Sequence, residues 1–262
     1  MELFRFLKID RYHLLLWVLL LMLSCLHSGV VVQDELTKVF KSARGQTLNG
    51  TINLHNPLDQ VINIRISQAD FVYNALDQNF YIEPGKYERS NADWILVQSL
   101  HTIQPRQNLL VPFTIRVPNQ RNLSGSYWSV LFVEEDTPFF APDFEDVMLN
   151  FRYAIQIVNN ISNTGRVDLA FRETSFTNDT VSIVLHNTGT LWFEAVISVD
   201  IFDANATLVG RYTFNRNRVY PELARRFTFP IQPLNRGDYY AIIVVDCGNN
   251  LIFGHQVSFT IR

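Results

Sequence analysis

The chain has 262 residues and a formal net charge of -3 at pH 7, with 47% hydrophobic and only 18% charged residues. This balance excludes intrinsic disorder, which requires low hydrophobicity and high charge, and a coiled coil, which would be rich in charged helix formers. The charge also argues against nucleic acid as a partner, because phosphate binding requires clustered lysine and arginine.

The first 28 residues differ from the rest of the chain. Three basic residues precede an apolar run over residues 14–26, and small residues follow at Ser28 and Gly29. This order is typical of a secretory signal peptide, so we predict residues 1–28 to be one, with export to the periplasm or cell surface. Two alternatives stay open: an uncleaved membrane anchor, or a lipoprotein with its lipid on Cys25. Membrane contact is expected only through this segment.

Beyond the signal, short runs of alternating apolar and polar residues are separated by turn residues, and no amphipathic helical pattern appears. Period-two alternation with β-branched and aromatic residues indicates half-buried strands. The sequence therefore predicts an all-β protein. Its predicted strands cover residues 51–55, 61–66, 109–117, 127–133, 147–158, 181–185, 195–202, 226–231, 239–245 and 256–261.

The chain also repeats itself. The triplet Leu-His-Asn at residues 54–56 recurs at 185–187, and Gly-x-Tyr at 125–127 recurs at 237–239. Each Gly-x-Tyr opens a long apolar strand, where the tyrosine hydroxyl can bond back to the backbone at a sandwich corner. We therefore predict two tandem immunoglobulin-like β-sandwich domains, at residues 30–160 and 165–262, with a longer first copy that carries an insertion within residues 68–105.

No motif for catalysis or metal binding is present. The histidines lack zinc-ligand spacing, and neither a P-loop nor a nucleophile elbow occurs. Cys25 and Cys247 are the two cysteines, and we predict Cys247 to be a buried apolar residue. Six carboxylates over residues 134–146 predict a solvated loop, with calcium binding as the alternative. We expect no cofactor and no enzymatic activity; an enzyme with scattered catalytic groups is the less favoured reading.

Five segments in order carry a resemblance to known families: residues 45–56, 90–95, 112–118, 125–135 and 152–157. In this order they resemble the PapD-like periplasmic pilus chaperones, and also the immunoglobulin-like region of WxL-associated bacterial surface proteins. The first resemblance implies an assembly chaperone whose partners are pilin-like subunits. The second implies a cell-surface or cell-wall-associated module that binds another protein.

The chaperone resemblance further implies β-strand donation through residues 147–158. Backbone hydrogen bonds would provide affinity, and alternating side chains would fill a groove in the subunit. Two basic residues in the cleft between the domains would hold the subunit's terminal carboxylate; Arg152 and Lys38 are the candidates, with Lys38 offset by about one position. The alternative is an ordinary strand that supplies its own core. The candidate subunit-binding residues are Arg152, Lys38, Val147, Leu149, Phe151 and Tyr153.

Overall fold

The computed structural model describes residues 29–136, 139–140, 148–149 and 151–262; at residues 139–140, 148–149 and 215–217 only the backbone is described. The predicted signal peptide, and with it the anchor and lipidation alternatives, lies outside these residues. Within them the chain consists of strands joined by turns, plus one single-turn 3-10 helix at Ala92–Trp94. No helix of this described part is long and apolar enough to cross a membrane.

Twelve strands lie in the first part of the described chain. They are β1 (Val31–Val32), β2 (Thr37–Ser42), β3 (Thr47–His55), β4 (Ile62–Tyr73), β5 (Asn79–Ile82), β6 (Ile95–Val97), β7 (Leu100–Ile103), β8 (Asn108–Arg116), β9 (Ser126–Glu135), β10 (Phe139–Phe140), β11 (Met148–Leu149) and β12 (Arg152–Ile161). One sheet has the order β1-β3-β8-β6 and the facing sheet the order β2-β12-β9-β4-β5, while β7 pairs with β4 and β10 pairs with β11.

Seven further strands follow. They are β13 (Leu169–Phe176), β14 (Thr180–Asn187), β15 (Phe193–Asp203), β16 (Leu208–Val219), β17 (Ala224–Pro230), β18 (Gly237–Asp246) and β19 (Ile252–Ile261). A three-stranded sheet of order β13-β14-β17 faces a four-stranded sheet of order β16-β15-β18-β19. All of these pairs are antiparallel.

Each pair of sheets encloses its own apolar core. Alternate residues of the strands point inward, as a period of two requires, so Ile52, Ile64 and Leu131 are fully buried in the first core. Ile183, Val199 and Ile243 are fully buried in the second. The prediction of two immunoglobulin-like sandwiches is confirmed; the domain limits 30–160 and 165–262 stay a prediction.

The sequence repeat corresponds to a repeated buried turn. Asn56 directly follows β3 and Asn187 is the last residue of β14, and both are fully buried. Each side-chain oxygen accepts a hydrogen bond from the backbone N–H two residues later, at 2.9 Å in both copies. Each side-chain amide donates to the carbonyl four residues later, at 2.7 Å from Asn56 and 2.9 Å from Asn187. The asparagine is required because it satisfies a donor and an acceptor of a buried backbone at once.

The tyrosines of the Gly-x-Tyr repeat bond to nearby backbone as predicted. The Tyr239 hydroxyl donates to the carbonyl of Asn235 at 3.0 Å, and the Tyr127 hydroxyl accepts from the N–H of Ser124 at 3.4 Å. Cys247 is a buried free cysteine, and burial raises the pKa of its thiol to about 12. It is therefore a neutral apolar side chain, as the sequence predicts.

Candidate functional site

The first two strands of the described chain belong to different sheets of the first sandwich. β1 pairs with β3 in one sheet, whereas β2 pairs in parallel with β12 in the other. The β2 ladder begins where Thr37 faces Gln156 and runs from there to the end of β12. On this side, β12 has no strand partner among the described residues before Gln156. We call residues 151–155 the edge segment.

The backbone of the edge segment is open on one side. The N–H of Gln156 donates to the carbonyl of Leu36 at 2.8 Å, so Gln156 directs its backbone groups toward β2. Successive residues of a strand point to opposite sides, so the N–H and carbonyl groups of Ala154 and Arg152 face the same way. No strand within the described ranges covers them. The other side of the edge segment is paired with β9.

An apolar row on β12 begins inside the core and continues past its end. Ile157 and Ile155 are fully buried and Tyr153 is partly buried, whereas Phe151 in the same row is 54% exposed. Leu36, beside the edge, is 47% exposed. The row is longer than the core that it enters, so its outer end presents apolar surface to solvent.

The two bases proposed from the resemblance lie apart. Arg152 pairs with Glu134 at 2.7 Å and lies over the ring of Phe132, at the start of β12. Lys38 pairs with Asp34 at 2.9 Å and faces Ile157, five residues further along the strand. Five residues of strand span roughly 16 Å. The structure therefore does not bring these two bases together around one carboxylate.

The remaining predicted site residues also lie in separate parts of the structure. Phe151 and Tyr153 belong to the edge segment. Leu149 lies on β11, where its backbone faces Phe139 across a short antiparallel pair. Val147 lies outside the described residues, as does most of the acidic loop predicted over residues 134–146. The continuous strand predicted over 147–158 is two strands, β11 and β12, within the described part of the chain.

The inner half of β12 is covered by the second sandwich. Tyr220, which follows β16 directly, is 1% exposed and lies on the outer face of the sheet formed by β4, β9 and β12. Its hydroxyl donates to the side-chain oxygen of Gln156 at 2.6 Å. Its ring stacks on Trp128 with the centroids 4.5 Å apart. The same strand therefore has an open backbone edge at its outer end and is covered by Tyr220 at its inner end.

The insertion in the first sandwich closes the same sheet face. The carboxylate of Asp70, fully buried on β4, accepts hydrogen bonds from the N–H of Gly85 at 3.1 Å, the N–H of Tyr87 at 2.7 Å, and the hydroxyl of Ser90. These bonds hold residues 85–90 back against the sheet. Tyr87 lies against Trp128, and burial raises the pKa of its hydroxyl to about 12.

Sequence reasoning missed Asp70, Gln156 and Tyr220. A signal for two of them was present: Asp70 is the one charged residue of the run 69–73, and Gln156 interrupts the apolar run 153–158. A polar residue predicted to be buried must have a hydrogen-bond partner, which marks both for attention. Tyr220 carries no such signal, because it follows its strand in an ordinary turn.

The comparisons with known proteins identify the fold. No protein-family model matches the chain, and no curated protein matches it in sequence. Among solved structures, it is similar to the class 5 fimbriae chaperone CfaA, with 12% identity, a TM-score of 0.51, and coverage of 89% of this chain and 99% of that one. A chain from a chaperone–tip adhesin complex of CFA/I fimbriae biogenesis matches at 13% identity with the same TM-score and coverage.

At this identity the likeness establishes the fold. The chain has the two-sandwich fold of a fimbrial chaperone, and the fold implied by the PapD-like resemblance is confirmed. No group of three or more potential metal-ligating side chains occurs in the part of the chain that the structure describes.

Proposed function

We propose that this protein is a non-enzymatic assembly chaperone that works outside the cytoplasm and binds protein subunits by β-strand addition at the edge segment. The observation that carries the proposal is the open backbone of Arg152 and Ala154 beside the exposed Phe151. The similarity to a chain from a chaperone–tip adhesin complex supports a protein subunit as the partner.

Strand addition fits this geometry for a physical reason. An extended segment laid along the edge would satisfy the open N–H and carbonyl groups, and its side chains would cover Phe151 and Leu36. Edge strands are ordinarily protected by charges, prolines or bulges. Residues 152–155 contain one charge, Arg152, and no proline. Arg152 borders the edge and is assigned to the subunit contact; Lys38 is left out, because Asp34 holds it further along the sheet.

The test is a pull-down of the tagged full chain from the envelope fraction of its native host, with bound proteins identified by mass spectrometry. Phe151→Asp removes the apolar contact, and Ala154→Pro removes one open backbone donor without touching a β9 bond. Leu110→Asp is the matched control, since Leu110 is 61% exposed on β8 in the other sheet. We expect both edge variants to lose a subunit that the parent and the control retain. Recovery unchanged by either edge variant would refute the proposal.

A protein-binding surface module is the second candidate, and the hairpin between β4 and β5 favours it. Leu76 is 66% exposed, Phe80 is 45% exposed and Tyr81 is 47% exposed, so apolar side chains lie on both faces of this hairpin. The same pull-down with Phe80→Asp separates the candidates. A partner lost with Phe80→Asp and kept with Phe151→Asp would replace the chaperone proposal with this one.

A further inference from the structure

The side chain of Glu135 lies at the mouth of the first apolar core. β9 places Leu131, Val133 and Glu135 in one row, because successive residues of a strand alternate between its two faces. Leu131 and Val133 are fully buried in the core, and Glu135, the last residue of the strand, is partly buried. This row of apolar side chains therefore ends in a carboxylate.

The first described residues of the chain pack against this carboxylate. Val30 is 3% exposed and belongs to the same core, and its backbone N–H donates to Glu135 Oε1 at 2.7 Å. A Cβ on Gly29 would lie 1.3 Å from the same oxygen. Covalent geometry places the backbone nitrogen of Gly29 about 2.5 Å from that Cβ position, so the nitrogen and the oxygen lie within about 4 Å of each other. An ion pair forms at this distance when the nitrogen carries a charge.

Glu135 differs from the two carboxylates beside it in the sequence. Glu134 pairs with Arg152, and Asp136 pairs with Arg65. Within the described ranges, no basic side chain pairs with Glu135, and its hydrogen-bond partner there is a neutral backbone N–H. A partly buried carboxylate loses hydration, and a single neutral donor replaces that hydration only in part. The position therefore favours a cation beside Glu135.

Removal of the predicted signal peptide would supply that cation. While residues 1–28 are attached, the nitrogen of Gly29 is a neutral peptide amide. Hydrolysis breaks the bond between the Ser28 carbonyl carbon and this nitrogen, and water supplies the hydroxyl of the new Ser28 carboxyl group and the hydrogen of the new Gly29 amine. The amine then takes up a proton, because an α-amino group is ordinarily protonated below about pH 8.

We propose that the mature chain begins at Gly29 and that Glu135 binds its new α-ammonium group as an ion pair. The first sandwich thus carries a binding site for its own processed end, where the precursor has a neutral amide. The ion pair also gives β1, which has only two residues and pairs with β3, a second attachment to the sandwich. The proposal rests on the predicted export of the protein and not on strand addition at the edge segment.

The first test is the N-terminus of the protein recovered from the envelope of its native host. Intact mass and sequencing of the first peptide identify the residue at which the mature chain begins. We expect Gly29 with a free amine. Any other first residue, an intact leader, or a lipid on Cys25 would overturn the assigned junction.

The second test measures the protonation of this amine in the processed protein. Trace acetylation with acetic anhydride over a pH series, with the N-terminal peptide quantified by mass spectrometry, follows it, since only the unprotonated amine reacts. The midpoint of labelling should lie about one pH unit higher in the parent than in Glu135→Gln, because an adjacent carboxylate favours the charged amine. Asp136→Asn is the matched control and should move the midpoint less, since Asp136 pairs with Arg65.

The parent in urea provides a comparison without any substitution, which keeps the second test decisive where Glu135→Gln fails to fold. The midpoint of labelling should be higher in the folded parent than in the unfolded parent. Equal midpoints in these two states, or in the parent and a folded Glu135→Gln, would overturn the ion pair. Failure of the proposed function would appear in the pull-down with Phe151→Asp and would leave both of these measurements unchanged.

Discussion

The two halves of β12 have the same alternation and opposite environments. In the inner half, Gln156 and the residues after it pair on both sides and are covered by Tyr220 and Trp128. In the outer half, Arg152 and Ala154 have backbone groups that no described strand covers, and Phe151 is exposed. The strand pattern therefore defines which residues share a face, whereas neighbouring elements define which part of the strand is available to a partner.

We expect the greatest loss of stability from a substitution in the inner half of β12 and its covering residues. Trp128 is 1% exposed, stacks on Tyr220, and donates from its indole nitrogen to the carbonyl of Phe71 at 2.7 Å. Trp128→Ala should lower the free energy of unfolding by about 3–5 kcal/mol, because it leaves a large cavity and an unpaired carbonyl. Urea denaturation measures it, with Leu110→Ala as an exposed control. A loss below about 1 kcal/mol would contradict the conclusion that Trp128 is closely packed in this half.

The next effect concerns the insertion that covers this half. Asp70→Asn replaces one acceptor oxygen with a donor, facing the N–H groups of Gly85 and Tyr87. The free energy of unfolding should fall by about 1–3 kcal/mol, because buried donors are left unsatisfied. Hydrogen exchange at the amide of Tyr87 should accelerate more than exchange in the second sandwich. Equal acceleration throughout the chain would show that Asp70 supports global stability and does not hold the insertion in particular.

A smaller loss is expected at the boundary between the halves. Gln156→Ala removes the acceptor of the Tyr220 hydroxyl, and burial raises the pKa of that hydroxyl, so it stays a neutral donor at ordinary pH. The free energy of unfolding should fall by about 1–2 kcal/mol. Thr37→Ala, on the facing strand, is the matched control. Thermal denaturation of both variants tests this, and equal losses would argue against a specific bond at Gln156.

The smallest effect on stability is expected in the open half. Arg152 pairs with Glu134 with its side chain 52% exposed, and such pairs contribute about 0–1 kcal/mol. Arg152→Ala should leave the unfolding midpoint nearly unchanged while reducing subunit recovery in the pull-down. Lys38→Ala, which also breaks one ion pair near the same sheet, is the control and should retain the subunit. If Lys38→Ala lost the subunit and Arg152→Ala retained it, Lys38 would be assigned to the subunit contact in place of Arg152.

Much of the fold could be predicted from the sequence, because strand alternation and buried turn residues are local features. The run 127–133 became the centre of β9, and the repeated asparagines Asn56 and Asn187 became equivalent buried turns. β2 was not predicted, because its short, mostly polar run lies at a sheet edge with Val39 48% exposed. The same is true of β16, where Arg211 and Arg218 interrupt the apolar pattern on an edge strand.

Period-two alternation and turn chemistry were enough to predict the all-β class, the two similar sandwiches and the face on which Phe151 and Tyr153 lie. The packing of the folded chain was needed to show that β2 begins at Thr37, that Lys38 and Arg152 lie apart, and that Tyr220 reaches Gln156. The physical reason is distance along the chain. Contacts between residues 64 or more positions apart depend on how strands and sandwiches pack, which no local pattern encodes.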